Sequence, residues 1–148
     1  MLAKNIKDTN KIAKIFLHKL LKSKKKRPGA LVVGLSGELG AGKTAFTKLV
    51  AKHLGIKNKV SSPTYVIMKK YVIHSSKSKT PKFFFHLDAY RLKTEKELLS
   101  LGWAEMIKDQ EHLIFIEWPE NVWKAMPQGA RFVYIKSDKN SYRNFKLQ

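Results

Sequence analysis

The chain has 148 residues and a mass of 17.0 kDa, the size of one domain with room for a real hydrophobic core. Lys and Arg total 30 against 11 acids, a formal charge of +19, which draws a protein toward polyanions such as RNA, DNA or anionic membrane. The excess is 26 lysines to 4 arginines spread along the chain, so it fits a general lysine bias as well as it fits nucleic-acid contact. The absence of cysteine excludes disulfides, thiolate zinc sites and cysteine nucleophiles, and fits a cytoplasmic address. No run of about 20 apolar residues is available to span a membrane. The first 29 residues lack the continuous apolar stretch and small-residue cleavage site of a signal peptide.

From the N-terminus, Ile12, Ile15, Phe16, Leu20 and Leu21 recur at a helical period, predicting an amphipathic helix over residues 9–22 with Asp8 or Thr9 as its N-cap. "KSKKKRPGA" then reads as a solvated loop. "LVVGLS" is a short buried strand, and "KTAFTKLVAKHLG" is a helix with Gly55 placed as its C-terminal cap. "TYVIMKKYVIH" and "KFFFHLDAY" are rich in β-branched and aromatic residues and read as two strands joined by the exposed turn "SSKSKTP". "KTEKELLSLGWAEMI" predicts a helix capped at Thr94 and ending near Gly102. "HLIFIEW" and "ARFVYIKS" are further strands, separated by the irregular "PENVWKAMPQG". No repeat and no linker divides the chain, so residues 1–148 are expected to form a single domain, and the stretch "GELGAGKT" between a strand and a helix makes it a P-loop domain of the α/β class. Its central sheet should be mostly parallel, with a hairpin-like segment and flanking helices.

The stretch "GELGAGKT", Gly37 to Thr44, stands between a strand and a helix. In that context its glycines let the backbone wrap phosphate oxygens, and the amides at the start of the next helix face the same anion. Gly37, Glu38, Leu39, Gly40, Ala41 and Gly42 form the loop, Lys43 neutralises the β and γ phosphates of ATP, and the Thr44 hydroxyl ligates Mg²⁺. Hydrolysis also needs an acid for the metal and a group that positions water. Asp88 and Glu117 each follow a strongly apolar strand, which puts them at the carboxyl edge of an α/β sheet, where an ordinary strand-end carboxylate could also stand. Thr64 in "SSPTY" reads either as a turn residue or as a γ-phosphate sensor. His86 lies on a strand with no base partner or metal-ligand spacing around it, which favours a core histidine. Trp118 could stack near a base or pack under Pro119.

"GELGAGKT", "SSPTY", "FHLDAYRL", "LGWAEM" and "IFIEWPEN", in this order, resemble the bacterial tRNA threonylcarbamoyladenosine biosynthesis ATPase family, TsaE, over about residues 9–135. The resemblance implies a small ATPase acting with two sugar-kinase-like proteins, TsaD and TsaB. Together they transfer a threonylcarbamoyl group to N6 of adenosine 37 in tRNAs reading codons that begin with A. The ATPase itself does not perform the transfer. By motif, Gly37 to Thr44 bind ATP, Glu117 of "EWP" is the second Mg²⁺ ligand, and Trp118 lies near the nucleotide. Asp88 serves hydrolysis, Thr64 is the switch-like threonine, and Thr9 lies near the base. The family does not require the high positive charge, so tRNA is implied as an indirect partner with direct contact left open. Two other readings stand beside this one. A free-standing small-molecule kinase should carry an arginine-rich lid, whereas only Arg27, Arg91, Arg131 and Arg143 are present. A nucleotide-independent RNA-binding protein would leave "GELGAGKT" without a use.

Overall fold

Strand-like alternation in "LVVGLS" sends Val33 and Leu35 to one side and Val32 to the other, and all three are buried. The computed structural model describes residues 1–22, 28–63, 67–77 and 80–148. The sequence stretch becomes strand β2 (Leu31–Ser36), the middle of a seven-stranded sheet. The other strands are β1 (Leu2–Ala3), β3 (Met68–Val72), β4 (Phe83–Asp88), β5 (His112–Glu117), β6 (Arg131–Ser137) and β7 (Arg143–Leu147). Their order is β1-β7-β6-β2-β5-β4-β3. The four central strands β6, β2, β5 and β4 are parallel, and β3, β7 and β1 add antiparallel edges. Near-continuous apolar runs in β2, β4 and β5 follow from this, since parallel strands are covered on both faces.

Helices α1 (Ile6–Lys22) and α2 (Lys43–His53) pack together over one face, where Phe16, Phe46, Val50, Phe84, Leu113 and Phe115 form a core. Helices α3 (Glu95–Leu99) and α4 (Trp103–Met106) and the 3₁₀ segment Pro119–Ala125 cover the other, around Phe85, Leu87, Leu98, Trp103, Ile114 and Ile116. The expected α/β class, the mostly parallel sheet and the hairpin of β3 on β4 are all present. No helix among the described residues is long and apolar enough to cross a membrane.

Boundaries differ for identifiable reasons. Helix α1 begins a turn before residue 9, because the Asn5 side-chain oxygen accepts from the Asp8 N–H at 3.1 Å and takes the capping role expected of Asp8 or Thr9. The segment after Thr94 is broken in two at Gly102, whose φ of 83° is left-handed, and the Thr94 hydroxyl makes no cap bond. "PENVWKA" is wound into 3₁₀ turns that start at Pro119, where a proline at the first helical position costs no hydrogen bond. The two outer strands β1 and β7 lie in "MLA" and "RNFKL", too short or too polar to announce themselves.

Gly55 caps α2 as its position suggested. Its N–H reaches Lys52 O at 3.1 Å and the next N–H, of Ile56, reaches Ala51 O at 3.2 Å, closing the helix in a Schellman motif. Its φ is 76°, and an added Cβ would find only His74 O at 4.0 Å, so alanine there meets backbone strain without a clash. Gly55→Ala should therefore cost about 1 kcal/mol and lower Tm by about 2–4 °C in a thermal melt.

Candidate functional site

At the carboxyl end of β2 the chain turns through Gly37 to Gly42 and enters α2 at Lys43. Gly37 has φ 151°, and a Cβ on it would stand 2.3 Å from the carbonyl oxygen of Ile135 on neighbouring β6. Gly42 takes φ 105° as the residue capping α2, against the side chain of Arg143. These two positions admit glycine because the loop must both reverse and press against adjoining strands.

Lys43 is buried, and its ammonium donates to Gly37 O at 2.6 Å and Glu38 O at 2.9 Å. The ammonium also sits 4.0 Å from the centre of the Trp118 ring, a cation–π contact. Burial pulls its pKa below that of an ordinary lysine, and the nearby carboxylates of Glu117, Glu120 and Asp88 oppose that pull.

Strand parity decides which acids can meet this lysine. Successive side chains alternate across a sheet, so Phe84, His86 and Asp88 of β4 share a face, as do Leu113, Phe115 and Glu117 of β5. Phe84, Leu113 and Phe115 belong to the core under α1 and α2, which puts His86, Asp88 and Glu117 on the α2 side of the sheet. Asp88 and Glu117 are partners in the parallel register. One oxygen of Glu117 accepts from the Thr44 hydroxyl at 2.8 Å and from His86 Nε2 at 2.7 Å. A carboxylate can only accept, which assigns the ring proton to Nε2. His86 is fully buried, and its Nδ1 has no hydrogen-bond partner among the described residues. Asp88 accepts from the Tyr90 N–H at 2.9 Å, which bends the chain sharply away from the sheet edge.

Trp118 follows Glu117 in a left-handed conformation, φ 60° and ψ 51°, with its N–H bonded to Leu35 O at 3.1 Å. That turn lays the indole beside Lys43, 5.1 Å from the Tyr90 ring. A cleft of about 250 Å³ results, bounded by Leu39, Gly40, Gly42, Lys43 and Thr44 on one side and Asp88, Tyr90, Glu117 and Trp118 on the other. The expected phosphate loop, both acids and the tryptophan therefore converge. Thr9 does not join them: it is buried in α1 with its hydroxyl on Asn5 O at 3.2 Å. Thr64 lies outside the described residues.

Three contributors were not anticipated as such. His86 supports Glu117, a role that its alternation with Asp88 and Phe84 could have signalled. Arg143 of β7 donates from Nε to Ala41 O at 3.1 Å, bracing the loop from a strand that sequence did not reveal. Ser36, the last residue of β2, hydrogen-bonds Glu120. No group of three or more His, Cys, Asp or Glu side chains stands ready to hold a metal among the described residues. The hydroxyl of Thr44 with the carboxylates of Glu117 and Asp88 is an all-oxygen set suited to a hard dication that keeps part of its shell for water and phosphate.

A protein-family model described as "Threonylcarbamoyl adenosine biosynthesis protein TsaE" matches residues 3–145. A relative from Rickettsia prowazekii named tRNA threonylcarbamoyladenosine biosynthesis protein TsaE is 39% identical over 139 residues, covering 93% of this chain and 85% of the relative. A Bacillus subtilis protein of the same name is 38% identical over 110 residues, 74% of this chain and 63% of that protein. The crystal structure of Bacillus subtilis YdiB superposes with a TM-score of 0.73 at 27% identity, covering 99% of this chain and 82% of that one.

The bond from His86 to a nearly buried carboxylate sets a test of stability. His86→Phe should destabilise the fold by about 1–3 kcal/mol in urea unfolding, because Glu117 loses a donor. His86→Gln, which can still donate, should recover part of that loss.

Proposed function

The chain belongs to the TsaE family, and from that premise we propose that it is the Mg²⁺-dependent ATPase subunit for tRNA threonylcarbamoylation. The modified atom is N6 of adenosine 37 in tRNAs reading codons that begin with A. In this reading it acts in the cytoplasm with TsaD and TsaB, which carry out the transfer. The observation that carries the ATPase part is the convergence of Lys43, Thr44, Glu117 and Asp88 at one cleft beside a glycine loop.

The chemistry follows from what each group can do. Gly37 to Gly42 hold the phosphate chain, and Lys43 supplies positive charge to the β and γ phosphates. Thr44 and Glu117 would hold Mg²⁺, with His86 keeping the carboxylate in place, and the metal would supply positive charge to the phosphate oxygens. Asp88, opposite Glu117 in register, orients the attacking water or the water shell of the metal. Trp118 and Tyr90 offer aromatic faces to the nucleotide. A kinase would need several arginines closing on the phosphates. Arg143 is committed to Ala41 O behind the loop, and Arg131 opens β6 at the amino ends of the parallel strands, away from the cleft, which supports hydrolysis over a lidded kinase. No arginine is among the described residues that line the cleft, so turnover by the chain alone should be slow, with missing groups or geometry supplied by the partners.

Steady-state ATP hydrolysis, measured alone and then with TsaD and TsaB, tests the proposal. The partners should stimulate the rate, and Lys43→Ala should abolish nucleotide binding and the stimulation together. Asp88→Asn should keep nucleotide binding while kcat drops about 10²-fold or more. If the partners neither bind the chain nor alter its rate, the assignment to the tRNA-modification complex is wrong.

A further inference from the structure

The charge of +19 is not distributed evenly over the folded chain. Along α1, Lys7, Lys11, Lys14, His18 and Lys22 follow one another at steps of three or four residues and are all exposed. Ile12, Phe16, Leu17 and Leu20 on the same helix are buried. At 100° per residue the cationic stripe points directly away from that buried side, and it extends about 22 Å along the axis. Helix α2, packed beside α1, adds the exposed Lys48 and Lys52 and has no acid. Asp8 is the only acid in either helix, and its carboxylate accepts from the backbone N–H of Lys4 at 3.1 Å. On the opposite face the charges are mixed: Glu95, Glu97, Glu105 and Glu120 are interleaved with Lys96 and Lys124.

We propose that the outer face of α1 and α2 is a docking surface for the phosphate backbone of tRNA. The proposal rests on the tRNA-modification reading and adds direct contact between this chain and the RNA. A general lysine bias would load both helical layers alike, whereas one layer here is almost purely cationic and the other mixed. A basic amphipathic helix often lies on a membrane or in the groove of a partner, in each case burying its apolar side there. In α1 that side is already consumed by the core, and the outward side carries the cationic stripe with Ile6 and Ile15 as its two exposed large apolar residues, too few to seat the helix on an apolar surface. A regular line of lysines without aromatic or Arg partners suits sequence-independent contact with successive phosphates. The face also adjoins the nucleotide site, since α2 starts at Lys43 in the phosphate loop.

The test is binding of an unmodified tRNA transcript, followed by fluorescence anisotropy across a salt series, with the full chain. The wild type should lose affinity linearly in log–log against salt. The triple variant Lys7→Gln, Lys11→Gln, Lys14→Gln should bind more weakly, with a slope shallower by about 2–3. Lys93→Gln, Lys96→Gln, Lys124→Gln, which removes the same charge from the opposite layer, should stay within about twofold of wild type. ATP affinity measured on each protein should be unchanged, which verifies the fold. Equal weakening by both triples would reduce the effect to net charge and overturn the proposal. So would failure of the wild type to bind tRNA, or an α1 triple that binds tRNA normally but no longer binds TsaD and TsaB, which would assign the face to an acidic protein surface. If adenosine modification needs Lys43 but not the α1 lysines, the ATPase reading stands and the docking surface falls. If modification proceeds without Lys43, the ATPase reading falls whatever the RNA binding shows.

Discussion

Removing a carboxylate from water costs several kcal/mol unless donors replace the water, and the candidate site is arranged around one such group. Glu117 is almost completely buried, and its donors come from two other elements, Thr44 on α2 and His86 on β4. Its position therefore depends on β5 lying between β2 and β4 with the register intact. A slip of one residue in β5 would send Glu117 to the opposite face of the sheet and strand His86 beside an apolar side chain. The same constraint explains why the neighbouring sequence is so apolar. Phe84, Leu113 and Phe115 exclude water from below the site, so that the few polar groups interact at short range in a medium of low dielectric.

Lys43 completes this balance of charge. A buried ammonium facing carboxylates and stacked on Trp118 is stabilised by several weak partners and dominated by none. Carbonyls of its own loop, Gly37 and Glu38, take two of its three donors. The ammonium is thus held in the loop by two acceptors that a phosphate oxygen could replace as its partner, which suits the phosphate-binding role proposed for it.

Much of this is legible in the sequence. The strand, glycine loop and helix from Leu31 to His53 are readable because their dihedral and period requirements are local, and the places of Asp88 and Glu117 at the ends of two apolar strands mark both acids, to which the family resemblance adds roles. The meeting of those two acids was not local, since it depends on the register of β4 against β5. His86 reads as an ordinary core residue in sequence because its partner lies 31 residues away. Arg143 carries no local signal for a similar reason, with 102 residues separating it from Ala41. Strands β1 and β7 escaped notice because edge strands with one exposed side can be short and polar and still complete a sheet. The charge illustrates the opposite case: lysines that look scattered in the linear chain become a directed stripe once α1 commits its other side to the core.

The bond from Arg143 to the phosphate loop has a consequence for the order of assembly. During synthesis the loop at Ala41 emerges long before the strand that braces it, and β7 must pair with both β6 and β1 to deliver its arginine. A nascent chain carrying the complete glycine motif thus still lacks the outer support of that motif. The phosphate loop therefore gains its last brace only as the sheet edge closes, so its final geometry is set by the end of the chain and not by the motif alone.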